Sequence, residues 1–205
     1  MFLAIDIGNT NINFGLFHNN RLLRRIDITV RDYNFKKLKE KLRKVNIESS
    51  IICSVVPNIT SILLKDLSCI INKPLIVGKD LNVPIKNLYR YPQKLGQDRL
   101  INAYAGMMLY GAPCIIIDIG TALTFDIVSK DRCYLGGMIL PGLKVSLNTL
   151  AKNTALLPQL SLKRPKEFIG RNTENSILSG LIYGFSALID GIIEKIKKYL
   201  RYDLY

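Results

Sequence analysis

Histidine, paired cysteines and long apolar runs are scarce in this 205-residue chain, and each scarcity narrows its chemistry. The single histidine, His18, falls at a predicted turn and reads as solvent-facing, so no imidazole is offered to a catalytic site. The four cysteines, Cys53, Cys69, Cys114 and Cys133, form no CxxC pair, which argues against a zinc ribbon or disulfide framework. They read as buried free thiols in a reducing compartment. No basic and apolar leader opens the chain, because Asp6 already interrupts the first strand, and a cytoplasmic location is expected. The most apolar stretch, residues 177–193, is broken by serine, glycine, tyrosine and Asp190 and falls short of the roughly 20 uninterrupted residues a membrane span needs. A buried helix is expected there, and no membrane partner.

Acidic residues are also few, 16 against 29 lysines and arginines, for a formal net charge of +13. Much of the excess lies in residues 36–44, where Phe35, Leu38, Leu42 and Val45 recur at helical spacing and lysines fill the opposite face. That pattern is a solvated helix face, which argues against a nucleic-acid partner. The remaining charge favours small anionic substrates, an attraction that salt weakens.

What the chain does have is a repeat. Leu3-Ala4-Ile5-Asp6-Ile7-Gly8-Asn9-Thr10 and Ile115-Ile116-Ile117-Asp118-Ile119-Gly120-Thr121-Ala122 both run an apolar strand into Asp-Ile-Gly, and a second apolar stretch follows each. Each reads as strand, tight turn, strand. Glycine at the turn lets a ligand approach the backbone, and successive N–H groups there form an anion-binding concavity. The aspartate before each turn suits a cation held against phosphate oxygens. A single Asp-x-Gly is ordinary hairpin chemistry; a repeat that keeps aspartate, glycine and a hydroxyl residue at matching offsets keeps chemistry too.

The repeat predicts two similar lobes, residues 1–112 and 113–205. In the first, strands at 2–7, 11–17 and 21–28 precede a basic helix over 33–44, a buried strand at 51–55, a helix from Pro57 to about 70 and a short strand at 75–78. Residues 79–95 show no period and are read as a functional loop. A helix from about 97 to 109 follows. The second lobe has a hairpin over 114–128, a glycine-interrupted strand over 134–142, and helices near 143–152 and 174–199. Gly180 and Gly184 in the last helix are expected to admit a close neighbour.

Gly96-Gln97-Asp98-Arg99 places an acid and an arginine at the start of a helix. Asp98 either favours the helix dipole with Arg99 in a surface pair, or takes the proton from a substrate hydroxyl while Arg99 binds an anionic group.

Taken together, Asp6-x-Gly8-Asn9-Thr10 with Gly15, Gly96-x-Asp98-Arg99-x-x-Asn102, Asp118-x-Gly120-Thr121-Ala122-x-Thr124-x-Asp126 and Gly136-Gly137-x-Ile139-x-Pro141-Gly142 resemble the type III pantothenate kinases, over residues 1 to about 185. The resemblance implies an α/β fold of two ribonuclease-H-like lobes (actin/Hsp70/sugar-kinase-like), acting as a homodimer. It implies phosphorylation of pantothenate by ATP, the first step toward coenzyme A. Carried over, Asp6, Ile7, Gly8, Asn9, Thr10, Asn11, Ile12 and Asn13, with Thr121, would hold ATP. Tyr89, Gly96, Gln97, Asp98, Arg99 and Thr173 would contact pantothenate, with Asp98 as the base. Asp118 would hold a potassium or ammonium ion, and Mg²⁺ would accompany ATP. On the residues alone, Tyr89 could equally be a loop aromatic, Thr173 a helix N-cap and Asp126 an acceptor for backbone donors. Relatives continue into a further element carrying Thr-Gly-Gly near the adenine, so the triphosphate is expected to dominate nucleotide binding here.

Two alternatives fit the same residues. One is a kinase of the same fold for another hydroxylated substrate. The other is a regulatory nucleotide-sensing protein, with or without a nucleic-acid partner, which the joint presence of Asp6, Asp98 and Asp118 argues against.

Overall fold

The computed structural model describes residues 1–43, 45–71 and 74–201. It comprises two compact units, Met1–Ile85 with Tyr91–Tyr104, and Lys86–Arg90 with Ala105–Tyr205.

The first unit is built on five strands: β1 (Phe2–Ile7), β2 (Asn11–His18), β3 (Arg21–Thr29), β4 (Ser49–Ser54) and β5 (Leu75–Ile76), in the order β3-β2-β1-β4-β5. Short turns make β1, β2 and β3 antiparallel. The helices α1 (Phe35–Lys41) and α2 (Pro57–Leu67) carry the chain back so that β4 and β5 run parallel to β1. Alternation buries Leu3, Ile5 and Ile7 of β1 with Ile12, Phe14 and Leu16 of β2, and Leu38, Leu63 and Leu67 of the helices close over them. Asn34 caps α1 by accepting from the N–H groups of Lys36 and Lys37, so the helix begins at Phe35, where its apolar period begins, and is shorter than the expected 33–44. Lys36, Lys37, Lys39 and Lys41 are exposed opposite buried Leu38, whereas Lys44 lies outside the described residues.

The second unit holds β6 (Lys86–Asn87), β7 (Cys114–Ile119), β8 (Ala122–Val128) and β9 (Cys133–Pro141) in the order β6-β9-β8-β7. The helix α3 (Gln97–Tyr110) gives its residues through Tyr104 to the first unit and the rest to the second. The helices α4 (Leu143–Asn153) and α5 (Thr173–Leu200) follow. Leu123, Phe125 and Ile127 of β8 pack with Phe185, Leu188, Ile189, Ile192 and Ile196 of α5.

Four expectations need correction. The segment 79–95 is not wholly irregular: β6 pairs in parallel with the start of β9, and Pro92–Lys94 forms a 3₁₀ turn. Two residues are too few to show a period of two, which is why sequence missed the strand. The last helix is longer than its apolar stretch and not a buried one: of its 28 residues only Asn175, Leu178, Ser179, Leu181 and Ile196 are buried. By length and composition it could cross a membrane, but its apolar residues also form the cover of a sheet. Space around Gly180 and Gly184 is open in this chain, with nothing within 4 Å of an added Cβ. Cys69 is exposed, unlike the other three cysteines, because it lies beyond the end of α2.

Candidate active site

In the first unit the β1–β2 hairpin turns through Gly8, Asn9 and Thr10, closed by the Gly8 N–H donating to the Asn11 carbonyl at 3.0 Å. The Thr10 carbonyl accepts from Val30 N–H at 2.8 Å, which ties the loop to the end of β3. Antiparallel register sets Asp6 opposite Asn13, whose side-chain amide donates to Asp6 Oδ2 at 3.0 Å. Asn9, Thr10 and Asn11 are exposed, while Ile7 and Ile12 are buried beneath them. Ile7 and Ile12 therefore anchor the loop, and the polar positions face outward.

The same unit brings the Gly96–Arg99 segment into the neighbourhood of Asp6. Gly96 immediately precedes α3, and a Cβ there would collide with Asp98 Oδ1. The glycine thus leaves room for a carboxylate folded back over the helix start, where Asp98 Oδ1 accepts from Arg99 N–H at 2.8 Å. Gln97 and Asp98 are half-buried and Arg99 is buried. On the sheet face opposite α1 and α2, a largely apolar cavity of about 520 Å³ reaches Asp6, Asn13, Cys53 and Ile101.

Cys53 reports on the proximity of the two carboxylates. It pairs with Asp6 across β1 and β4; burial first, then the Asp6 and Asp98 charges, push its thiol up to about 12. The folded protein therefore holds this proton more tightly than the unfolded chain, in which a thiol titrates near pH 8.5. The stability this group contributes is whole below that pH and is lost as pH rises toward about 12. In native protein at pH 8, a disulfide reagent should modify exposed Cys69 promptly and Cys53, buried and held protonated, far more slowly. Prompt labelling of Cys53, mapped by mass spectrometry, would contradict the enclosed position.

The second unit repeats the hairpin. The Gly120 N–H donates to the Ala122 carbonyl at 2.9 Å, and Asp118 stands opposite Thr124. Asp118 and Thr121 are exposed. A residue the repeat does not flag secures this loop: Gly142, the N-cap of α4, donates its N–H to Thr121 O at 2.9 Å. A Cβ on Gly142 would run into Gly120 O and lie 2.7 Å from Thr121 O. Its sequence signal is the Pro141-Gly142 that closes the fourth motif, which does not by itself reveal the contact with the loop.

Tyr89 belongs to this unit as well, half-buried, with its ring 6.3 Å from that of Tyr134. Thr173 is exposed and is the first residue of α5. The N-cap is Asn172, whose side-chain oxygen accepts from Asn175 N–H at 2.8 Å, which corrects the capping alternative for Thr173. Asp126 does not serve only backbone donors, because it accepts from the Tyr134 hydroxyl at 2.7 Å.

Among the described residues no three His, Cys, Asp or Glu side chains cluster as a metal site. A cation here would be held by single carboxylates together with ligand oxygens. Asp118 and Asp6, exposed beside their loops, fit a hard cation of that kind.

Residues 2–195 match the family model described as type III pantothenate kinase. A type III pantothenate kinase of Persephonella marina is 37% identical, over 96% of this chain and 81% of the relative. Among solved structures, a conserved Campylobacter jejuni protein described as a Baf-family transcriptional activator superposes with a TM-score of 0.55 at 22% identity, covering 92% of this chain and 78% of that one. The ethanolamine utilization protein EutJ of Carboxydothermus hydrogenoformans gives a TM-score of 0.52 at 12% identity, over 94% and 71%. At these identities the two structures speak for the fold alone.

Proposed function

The chain belongs to the type III pantothenate kinase family, and from that premise we propose how its residues divide the work. The fold is that of the actin/Hsp70/sugar-kinase-like proteins, and the reaction is ATP-dependent phosphorylation of pantothenate, the first step of coenzyme A synthesis. In our reading residues 1–112 carry the first phosphate loop and the base, and residues 113–205 the second loop. The observation that carries it is Asp98, folded back over the start of α3 by the room Gly96 leaves.

Asp98 accepts the proton of the pantothenate primary hydroxyl as that oxygen attacks the γ-phosphorus of ATP, and ADP leaves. Buried Arg99 offers its guanidinium to an anionic group of the substrate, with Gly96, Gln97, Tyr89 and Thr173 completing the pantothenate contacts. The Asp6–Asn13 turn meets the ATP phosphates through its outward polar positions Asn9, Thr10 and Asn11, anchored by buried Ile7 and Ile12, and Thr121 contributes from the second loop. Mg²⁺ accompanying ATP would neutralise charge on the phosphoryl oxygens. A coupled ADP-release assay with pantothenate tests the reading; release with other alcohols and none with pantothenate would overturn it.

Asp118 is proposed to hold a monovalent cation. Its exposed single carboxylate suits a weakly bound ion, so activity should fall at least about tenfold in sodium-only buffer and return with potassium or ammonium. Equal rates in sodium and potassium at fixed Mg²⁺ would remove that assignment.

We also propose a cytoplasmic homodimer without a nucleic-acid partner. Exposed aromatics of the second unit support the dimer: Phe168, 70% exposed, packs edge-on against Tyr183 of α5, itself 38% exposed. Sedimentation should give twice the chain mass at micromolar concentration. A monomer there would refute it.

A further inference from the structure

Asp126 is fully buried in β8 and takes no part in the chemistry above. A buried carboxylate needs hydrogen-bond donors, and the Tyr134 hydroxyl supplies one at 2.7 Å, with Thr124 Oγ1 at 3.4 Å from the other oxygen. That Tyr134 can reach Asp126 depends on a β-bulge. Ile127 pairs with Gly136 but Val128 with Tyr134, so Leu135 has no residue opposite it. In a regular ladder Tyr134 would lie on the Phe125 and Ile127 face. The extra residue moves it to the face of Asp126, and Gly136 takes the positive φ of 126° that this turn requires.

Tyr134 in turn borders Tyr89. The rings are 6.3 Å apart at an interplanar angle of 44°. The Tyr134 carbonyl accepts from Leu88 N–H at 2.9 Å, and Asn87 Oδ1 accepts from Tyr89 N–H at 2.9 Å. The position of a Cβ on Gly136 would lie 3.5 Å from Tyr89 Cδ2, so the Tyr89 ring rests on the bulge itself. The bulge therefore builds two contacts of the Tyr89 ring: the surface beneath it and the aromatic wall beside it.

We propose that Asp126 and Tyr134 are positioning residues for pantothenate binding, acting through Tyr89: the buried carboxylate fixes the Tyr134 hydroxyl, and the fixed Tyr134 ring sets the orientation of Tyr89. The proposal rests on the reading of Tyr89 as a pantothenate contact. It accounts for a buried acid at a position where an apolar residue would otherwise avoid the desolvation cost.

The test is a double-mutant cycle on the full chain, read as KM for pantothenate, KM for ATP and kcat. Tyr89→Ala and Tyr134→Leu should each raise the pantothenate KM about tenfold with kcat and the ATP KM within about twofold, and the double variant should be no worse than Tyr89→Ala alone. Tyr134→Phe keeps the ring and loses the donor, and Asp126→Ala removes the acceptor; each should raise the pantothenate KM about threefold. These two gentler variants carry the test if Tyr134→Leu does not fold. Additive effects in the cycle, or an unchanged pantothenate KM in both Tyr134 variants while Tyr89→Ala raises it, would overturn the proposal and leave Tyr89 as a contact. An unchanged KM in Tyr89→Ala would overturn the Tyr89 reading and the proposal with it.

Discussion

Asp98→Asn should lower turnover by about 10²–10⁴ while leaving pantothenate affinity nearly unchanged. The amide keeps the shape of the carboxylate and can still accept from Arg99 N–H, so the fold around the helix start survives. It lacks the basicity to receive a proton as the phosphoryl group arrives. The loss corresponds to about 3–5 kcal/mol of transition-state stabilisation. Steady-state kinetics with calorimetric pantothenate binding separates the two effects. A variant within about threefold of wild-type turnover would show that Asp98 only orients the substrate.

Gly142→Ala should strain the second loop far more than Gly8→Ala strains the first. At Gly142 the added Cβ collides with the Gly120 carbonyl and presses on Thr121 O at 2.7 Å, both backbone atoms that cannot rotate aside. At Gly8 the corresponding atom meets only Asn11 O, at an ordinary 3.5 Å. Relief at Gly142 requires the Gly120–Thr121 turn or the start of α4 to move, which costs on the order of 1–3 kcal/mol. If Thr121 holds ATP, kcat/KM for ATP should fall by about 10–100-fold with that strain. Wild-type ATP kinetics in Gly142→Ala would detach the loop's geometry from nucleotide binding.

The two glycines show how the site was legible. The repeat exposed Gly8 and Gly120 because their spacing from an aspartate recurs along the chain. Gly142 belongs to no repeat, and its importance comes from a backbone contact between residues about 20 positions apart, which a local pattern does not encode. Gly96-Gln97-Asp98-Arg99 stood out in sequence as an acid and an arginine at a helix start. That Gly96 makes room for the Asp98 carboxylate is visible only with side chains in place. Tyr89 was singled out, but not the strand two residues before it, because β6 gains its identity from pairing with β9.

By itself the sequence determined the alternating strands of both hairpins, the solvated face of α1 and the recurrent Asp-Ile-Gly turns, since each follows from a period or a turn residue within a few positions. Four linked motifs also carried the family, confirmed over residues 2–195. Tertiary structure decided what depends on distant partners. The Leu135 bulge turned Tyr134 toward Asp126, a choice of register that the residues of β9 alone leave open. Burial beside Asp6 and Asp98 set the thiol of Cys53, while Cys69, in another apolar setting, stayed exposed. Local periodicity fixes which face a residue takes, and only packing fixes what that face meets.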